Sequence, residues 1–178
     1  TMSLNGDCTA IYAADDADIG TVNMNNGSFT SCGSLGSGTG ANGTVWFDDI
    51  DGMAIDNTTG YIWAVERQSG NDLLLLIEQG TCDLVEDYFG PGVDYVELSG
   101  ALSDVDDLAF NPCTGDLYGV STVSGSTTND VIVQINKSTG ALTTIATLNE
   151  CDIEGLTFNE NCELFGSTGT TACQVDGS

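Results

Sequence analysis

Three pairs of carboxylates recur along the chain, and one residue separates the members of each pair. They are Asp49 and Asp51, Asp104 and Asp106, and Asp152 and Glu154. Carboxylates held close together raise one another's pKa or bind a cation, and several hard oxygen ligands suit calcium. The same side chains can instead cap turns and accept hydrogen bonds from nearby backbone, which needs no ligand. These six residues are therefore candidate calcium ligands, with turn capping as the alternative.

Catalysis is a weaker interpretation of the same carboxylates. The chain contains no histidine, so serine–histidine and cysteine–histidine nucleophile systems are excluded. A glycoside hydrolase that uses two carboxylates is the third hypothesis for the function. The acidic pairs recur once in each unit of a longer repeat, as residues with a structural role do. We therefore expect a protein that is not an enzyme and has no catalytic residues.

The acidic pairs open the units of an internal repeat. The segments 49–66, 104–121 and 152–168 share one pattern, and a shortened copy begins at Met2. In each unit an apparent strand is followed by a turn rich in Asn and Gly, and then by a second strand. A period of about 50 residues predicts a repeat architecture, and propeller blades are the candidate with that period.

Residues alternate in size within the first strand of each unit. Leu108 and Phe110 are bulky, whereas the alternate residues Asp107 and Ala109 are smaller, and Leu156 and Phe158 repeat the bulky positions. Alternate residues of a strand point to opposite faces, so each sheet has a bulky face that can stack on the flat face of its neighbour. We expect the bulky residues to be buried between sheets. One aromatic residue marks each second strand, and we expect these residues to pack in the core at equivalent positions: Tyr12, Trp63, Tyr118 and Phe165.

The predicted fold class is all-β and β-propeller-like, with about four four-stranded blades of about 50 residues, incomplete at both ends. The single repeat domain, 1–178, divides into blade 1 at 1–47, blade 2 at 48–102, blade 3 at 103–150 and an incomplete blade 4 at 151–178. Third strands are predicted at 18–23, 72–78, 130–136 and 171–176, and fourth strands at 29–35 and 142–148. Unit two carries an additional alternating run at 93–98, and the glycine-rich stretch 33–44 is predicted to be a flexible surface connection.

The repeat resembles those of secreted bacterial β-propeller proteins. The resemblance lies in an Asp-x-Asp/Glu strand, an Asn-x-x-x-Gly turn and an aliphatic-aromatic-Ala/Gly-Val strand, and in the hairpin at 133–140. NHL-like and YVTN-type surface propellers are the nearest groups. The resemblance implies four-stranded blades around a central channel. It covers nearly the whole chain at the level of fold and includes no catalytic signature, so it implies no particular activity.

The charge of the chain limits its partners. The net charge is −25, with Arg67 and Lys137 as the only basic residues. Nucleic acids and anionic membrane surfaces attract Lys and Arg, so we expect no nucleic-acid partner. No apolar run is long enough to span a bilayer, so we expect no membrane insertion.

Cysteine usage indicates the compartment. Seven cysteines without a CxxC pair favour disulfides in an oxidising compartment, and the odd number leaves at least one outside intrachain pairs. We therefore expect a secreted or cell-surface protein. Such a protein could be glycosylated at its four sequons: Asn26, Asn42, Asn57 and Asn136.

The leading functional hypothesis is a secreted structural protein that assembles with copies of itself into a filament, tube or surface layer. It rests on the strand predicted around 172–175, whose edge has no fourth strand to pair with. The alternative is a surface propeller module that binds calcium or glycan. Aromatic residues outside the repeat are the candidates for a contact surface: Trp46, Phe47, Tyr88, Phe89 and Tyr95.

Overall fold

The computed structural model describes residues 2–4, 11–15, 18–100, 104–122 and 129–169. Regular structure in these ranges consists of β-strands in antiparallel sheets, so the all-β prediction is confirmed. No helix in the described ranges is long and apolar enough to cross a membrane.

The strands form successive sheets that we call blades 1 to 4. Blade 1 contains β1 (Met2–Leu4), β2 (Ile11–Asp15), β3 (Asp18–Val22) and β4 (Phe29–Ser34), and a hairpin of β5 (Ser37–Gly40) and β6 (Gly43–Trp46) follows it. Blade 2 contains β7 (Ile50–Ile55), β8 (Tyr61–Glu66), β9 (Leu73–Glu78) and β10 (Tyr95–Glu97). Blade 3 contains β11 (Asp104–Phe110), β12 (Leu117–Thr122), β13 (Val131–Ile135) and β14 (Leu142–Thr147). Blade 4 is described as two strands, β15 (Ile153–Phe158) and β16 (Leu164–Thr168).

The additional run at 93–98 contains β10, which pairs with β9 and is the fourth strand of blade 2. The prediction for the stretch 33–44 is wrong: it is not an irregular surface connection, because it contains β5 and the start of β6. This hairpin packs closely: a Cβ at Gly40 would lie 2.7 Å from the ring of Tyr95, which only glycine avoids. The predicted strand at 171–176 lies outside the described residues.

Blades 2, 3 and 4 each pack their bulky face on the flat face of the preceding blade. Leu108 of blade 3 is 2% exposed and lies in one cluster with Ala54 and Trp63 of blade 2. The two inner strands approach so closely that a Cβ at Gly52 would lie 2.8 Å from the Cα of Asp107. The predicted alternation of bulky and flat faces is therefore confirmed at this joint.

The four marker aromatics occupy one position of the repeat, as predicted. Each pairs across the sheet with a small inner-strand residue, respectively Ser3, Ala54, Ala109 and Thr157. Tyr12 and Trp63 are buried and Tyr118 is half-buried. The prediction of core packing is wrong for Phe165, which is 52% exposed. Among the described strands β16 packs against β15 alone, so no described sheet covers this ring.

The bulky side chains of the inner strands also differ in how deeply they are buried. Leu108 and Leu156 are buried as predicted, but Phe110 and Phe158 are only half-buried. Both phenylalanines lie at the ends of their inner strands, where they line an open groove instead of a closed joint.

Disulfides cross two of the joints. Cys32 in β4 bonds to Cys82 of blade 2, and Cys113 of blade 3 bonds to Cys162 of blade 4. The paired cysteines are 50 and 49 residues apart, which is one repeat, so each bond ties neighbouring blades together. Cys151 is disulfide-bonded as well. The expectation of a disulfide-containing chain is confirmed for these residues.

Candidate metal centre

The inner strands carry a β-bulge at the same repeat position in three blades. The pairing register shifts between Ile50 and Gly52, between Val105 and Asp107, and between Ile153 and Gly155. The residue passed over in each shift is the second carboxylate of the acidic pair: Asp51, Asp106 or Glu154. A bulge leaves its extra residue outside the regular ladder and redirects the side chain. The repeat thus positions one redirected carboxylate at the start of each of these inner strands.

Three of the six predicted ligands come together. Asp51 of β7 and Asp104 and Asp106 of β11 are half-buried, and each offers a carboxylate oxygen within 4.8 Å of the others. Asp106 also accepts a 2.7 Å hydrogen bond from the Thr122 hydroxyl. Carboxylate oxygens at such separations can hold a hard cation such as calcium.

Arg67 supplies a positive charge to this group. Its Nε lies 2.6 Å from Oδ2 of Asp51 in an ion pair. Burial opposes the charge of Arg67, but the surrounding carboxylates outweigh burial and raise the pKa of its guanidinium. Burial raises the pKa of Asp51 to about 6 even though Arg67 lowers it. A cation bound by the Asp51 carboxylate would therefore compete with a proton and with Arg67.

The other three predicted ligands lie elsewhere. Asp49 is half-buried and close enough for its charge to raise the pKa of Asp51, but it is not part of the three-carboxylate group. Asp152 is buried with a left-handed backbone φ of 62°, and Glu154 is exposed beside Gly169. Among the described residues, neither joins a group of candidate ligands.

A set of buried carboxylates at the blade joints was not singled out from the sequence. Asp72, which directly precedes β9, is 1% exposed and accepts hydrogen bonds from the backbone N–H groups of Val105 (2.8 Å) and Gln68 (3.1 Å). Asp130 occupies the same position in blade 3 and accepts a 2.7 Å hydrogen bond from Ile153 N–H. Each carboxylate thus holds the inner strand of the next blade. Burial raises the pKa of Asp72 to about 7.

Glu66 holds the strand that carries Asp51. Its side chain is fully buried and accepts hydrogen bonds from the N–H groups of Asp48 (3.0 Å) and Asp49 (3.1 Å). Burial raises the pKa of this carboxyl group. The sequence signal for the Asp72 position was present, since an Asp directly precedes the third strand in both blade 2 and blade 3, as Asp72 and Asp130.

A groove of about 540 Å³ lies at the opposite ends of the inner strands. Its walls come from β1, β7, β11 and β15, from the turns after β7 and β11, and from the turn between β3 and β4. The chain's three methionines all line it: Met2, Met24 and Met53. The inner strands of blades 2 to 4 therefore begin at the acidic pairs and end at this groove.

The unrepeated aromatics divide between core and surface. Phe47 and Tyr95 are fully buried with their rings edge to face, and Phe89 is half-buried. Trp46 is 60% exposed and Tyr88 is 43% exposed. The contact-surface interpretation consequently concerns Trp46 and Tyr88.

Comparison with known proteins supports the fold at the level of structure. No protein-family model and no curated protein sequence matches the chain. A crystal structure of a nidogen/laminin complex is similar with a TM-score of 0.57 and 17% identity over 89% of this chain and 51% of the other. TolB from Acinetobacter baumannii is similar with a TM-score of 0.56 and 10% identity over 96% of this chain and 38% of the other. The fold is of the β-propeller type. This chain spans about half or less of each of these two proteins.

Proposed function

We propose that this propeller protein is a non-enzymatic, secreted structural subunit that assembles with copies of itself into an extracellular filament, tube or surface layer. The observation that carries the proposal is the exposure of Phe165. Its ring is 52% exposed, whereas Trp63 at the equivalent position is 1% exposed beneath blade 3. An aromatic side chain at a position built for burial favours a partner that covers it.

The disulfides support the extracellular part of the proposal. Cys32–Cys82 and Cys113–Cys162 each cross a blade joint, and such bonds persist in oxidising compartments. Outside the cell, these crosslinks would also keep neighbouring blades of a subunit connected when the noncovalent packing between them loosens.

The test is the size of the native protein over a concentration series, by light scattering after size exclusion, with electron microscopy of the most concentrated sample. We expect the mass to rise with concentration and the images to contain polymers. Phe165→Asp should prevent this, because it places a charge where the ring would be covered. The control is Ile145→Asp, which changes another half-exposed apolar residue, on β14 of blade 3. A native protein that is monomeric at every concentration contradicts the proposal.

The second candidate is a cation-binding propeller module, favoured by the oxygens of Asp51, Asp104 and Asp106 lying within 4.8 Å of one another. A ligand that binds the folded state raises its melting temperature. Calcium should therefore raise it above the value in sodium chloride of equal ionic strength, and chelator should reverse the rise. Because the pKa of Asp51 is raised to about 6, the rise should be larger at pH 7.5 than at pH 5.

The double variant Asp51→Asn and Asp106→Asn should abolish the effect of calcium. The matched control is Asp152→Asn, which lies outside the three-carboxylate group. Equal melting in calcium, chelator and matched salt would rule out this candidate. The glycan-binding form of the alternative would use Trp46 and Tyr88, and it stays a prediction.

A further inference from the structure

The joints within the chain show what covers each face of a blade. At every described joint the bulky face of one blade lies on the flat face of the blade before it. The bulky position is Met53 in blade 2, Leu108 in blade 3 and Leu156 in blade 4, and these side chains are 2%, 2% and 8% exposed. The three joints are therefore examples of one contact.

Among the described strands, none packs on the bulky face of blade 1. Met2 pairs with Ala13 as Met53 pairs with Ala64, so Met2 holds the same position, yet it is 66% exposed. Leu4 on the same face is 43% exposed. Phe29 of β4 is 40% exposed and packs over Gly20, where a Cβ would lie 2.6 Å from the ring. These three side chains form an apolar surface that we call the leading face.

No described strand packs on the flat face of blade 4 either. Thr157 and Phe165 are a cross-strand pair, and Gly155 and Ser167 are the next pair on the same face. Thr157, Phe165 and Ser167 are exposed, and Gly155 is half-buried. We call this surface the trailing face. Its two described strands place one ring beside small inner-strand residues, as Trp63 lies beside Ala54 in blade 2.

Each face has an exposed carboxylate beside it: Asp18 lies two residues from Gly20, and Glu163 lies two residues from Phe165. The net charge of the chain is −25, so two copies repel one another, and salt weakens this repulsion. The match of the two faces to the internal joints, and not their charge, is what selects them.

We propose that the leading face of one copy packs on the trailing face of the next copy, and so repeats between molecules the joint that links blades within the chain. The proposal rests on the self-assembly in the proposed function and specifies its contact. Because the two faces differ, the contact is heterologous. It closes into a ring if the rotation between copies allows and otherwise continues as a fibre.

Two variants that each block one face test the contact. Leu4→Asp blocks the leading face, and Phe165→Asp blocks the trailing face. Each variant alone should stay monomeric, with the concentration for half-assembly raised by roughly 100-fold or more, as for loss of an interface hot spot. When the two are mixed in equal amounts, each supplies the face that the other lacks. The mixture should form a complex of two copies and nothing longer.

Folding and specificity are controlled separately. Circular dichroism and the melting temperature of both variants should match the native protein, and Ile145→Asp should assemble as the native protein does. Leu4→Ile and Phe165→Leu, which keep an apolar side chain, should keep assembly if either Asp variant misfolds.

The outcomes distinguish the contact from the proposed function. If the native protein assembles but either correctly folded Asp variant assembles equally well, the contact is wrong and self-assembly stands. If the mixture stays monomeric while the native protein assembles, the head-to-tail pairing is wrong. If the native protein does not assemble, the proposed function and the contact both fail.

Discussion

The joint between blades 2 and 3 contains the same repeat positions as the leading and trailing faces. Its residues are buried, whereas the residues on the two faces are exposed. At the joint, Trp63 is 1% exposed and Leu108 is 2% exposed, whereas on the end faces Phe165 is 52% exposed and Met2 is 66% exposed. The residue types are comparable, so burial here depends on whether another blade is present. In a repeat protein, stability resides in the joints between units as much as in the units themselves.

The largest expected effect compares Trp63 with Phe165. Trp63→Ala should lower the free energy of unfolding by about 3–5 kcal/mol, because it removes a buried ring that contacts Tyr88 and Phe89. Phe165→Ala should cost less than about 1 kcal/mol when measured at a concentration too low for assembly. Urea denaturation of both variants checks this, and equal losses would show that blade 4 is covered within a single molecule.

The crosslinks give the next largest effect. Replacing Cys113 and Cys162 together by Ser should lower the stability of the joint between blades 3 and 4 by about 2–4 kcal/mol. Thermal melts without reductant check this, and the variant that removes Cys32 and Cys82 is the matched comparison at the other crosslinked joint. No change in either variant would mean that packing alone holds these joints.

A smaller effect should come from the pH dependence of the joint at Asp72. Burial raises the pKa of its carboxyl from 3.8 to about 7, so the folded protein binds the proton more tightly than the unfolded chain. Stability from this group is present at low pH and lost as the pH rises through about 7. From pH 8 to pH 5 we expect a gain on the order of 2 kcal/mol from Asp72.

Asp72→Asn should reduce that gain, since Asn does not ionise. Asp51 and Glu66, whose pKa values are also raised, contribute in the same direction and remain in the variant. Denaturation curves at several pH values for the native protein and the variant measure the difference. An unchanged pH dependence would assign the effect to these other carboxyls and to the overall negative charge.

The sequence predicted which residues occupy equivalent repeat positions better than it predicted which of them are buried. The repeat correctly aligned the second-strand aromatics, but it could not reveal that no described sheet covers Phe165, because burial is a property of the neighbours. The acidic pairs were found by spacing alone. The same bulge recurs at Glu154, which stays outside the group, so which of the carboxylates converge depends on how the inner strands lie side by side in the fold.

Two other features were not predicted from the sequence, for different reasons. In the sequence, Asp72 is one of many carboxylates in a very acidic chain. Its role in holding the next blade is evident only from the hydrogen bond that it accepts from Val105 N–H. The hairpin of β5 and β6 is rich in Gly, Ser and Thr, a composition typical of irregular loops. Its order comes from contact with Phe47 and Tyr95, which are close in the fold and distant from one another in the chain.

The two crosslinks between blades also determine how the molecule responds to mechanical load. If a subunit is pulled at its ends, force crosses each disulfide directly and bypasses the residues enclosed between the two cysteines. The enclosed segments, Cys32 to Cys82 and Cys113 to Cys162, span 50 and 49 residue steps. An extended chain lengthens by about 3.3–3.6 Å per residue, so these segments add almost nothing to the length that a stretched subunit can reach. The oxidised protein should therefore extend only through its remaining segments, and reduction should release the hidden length.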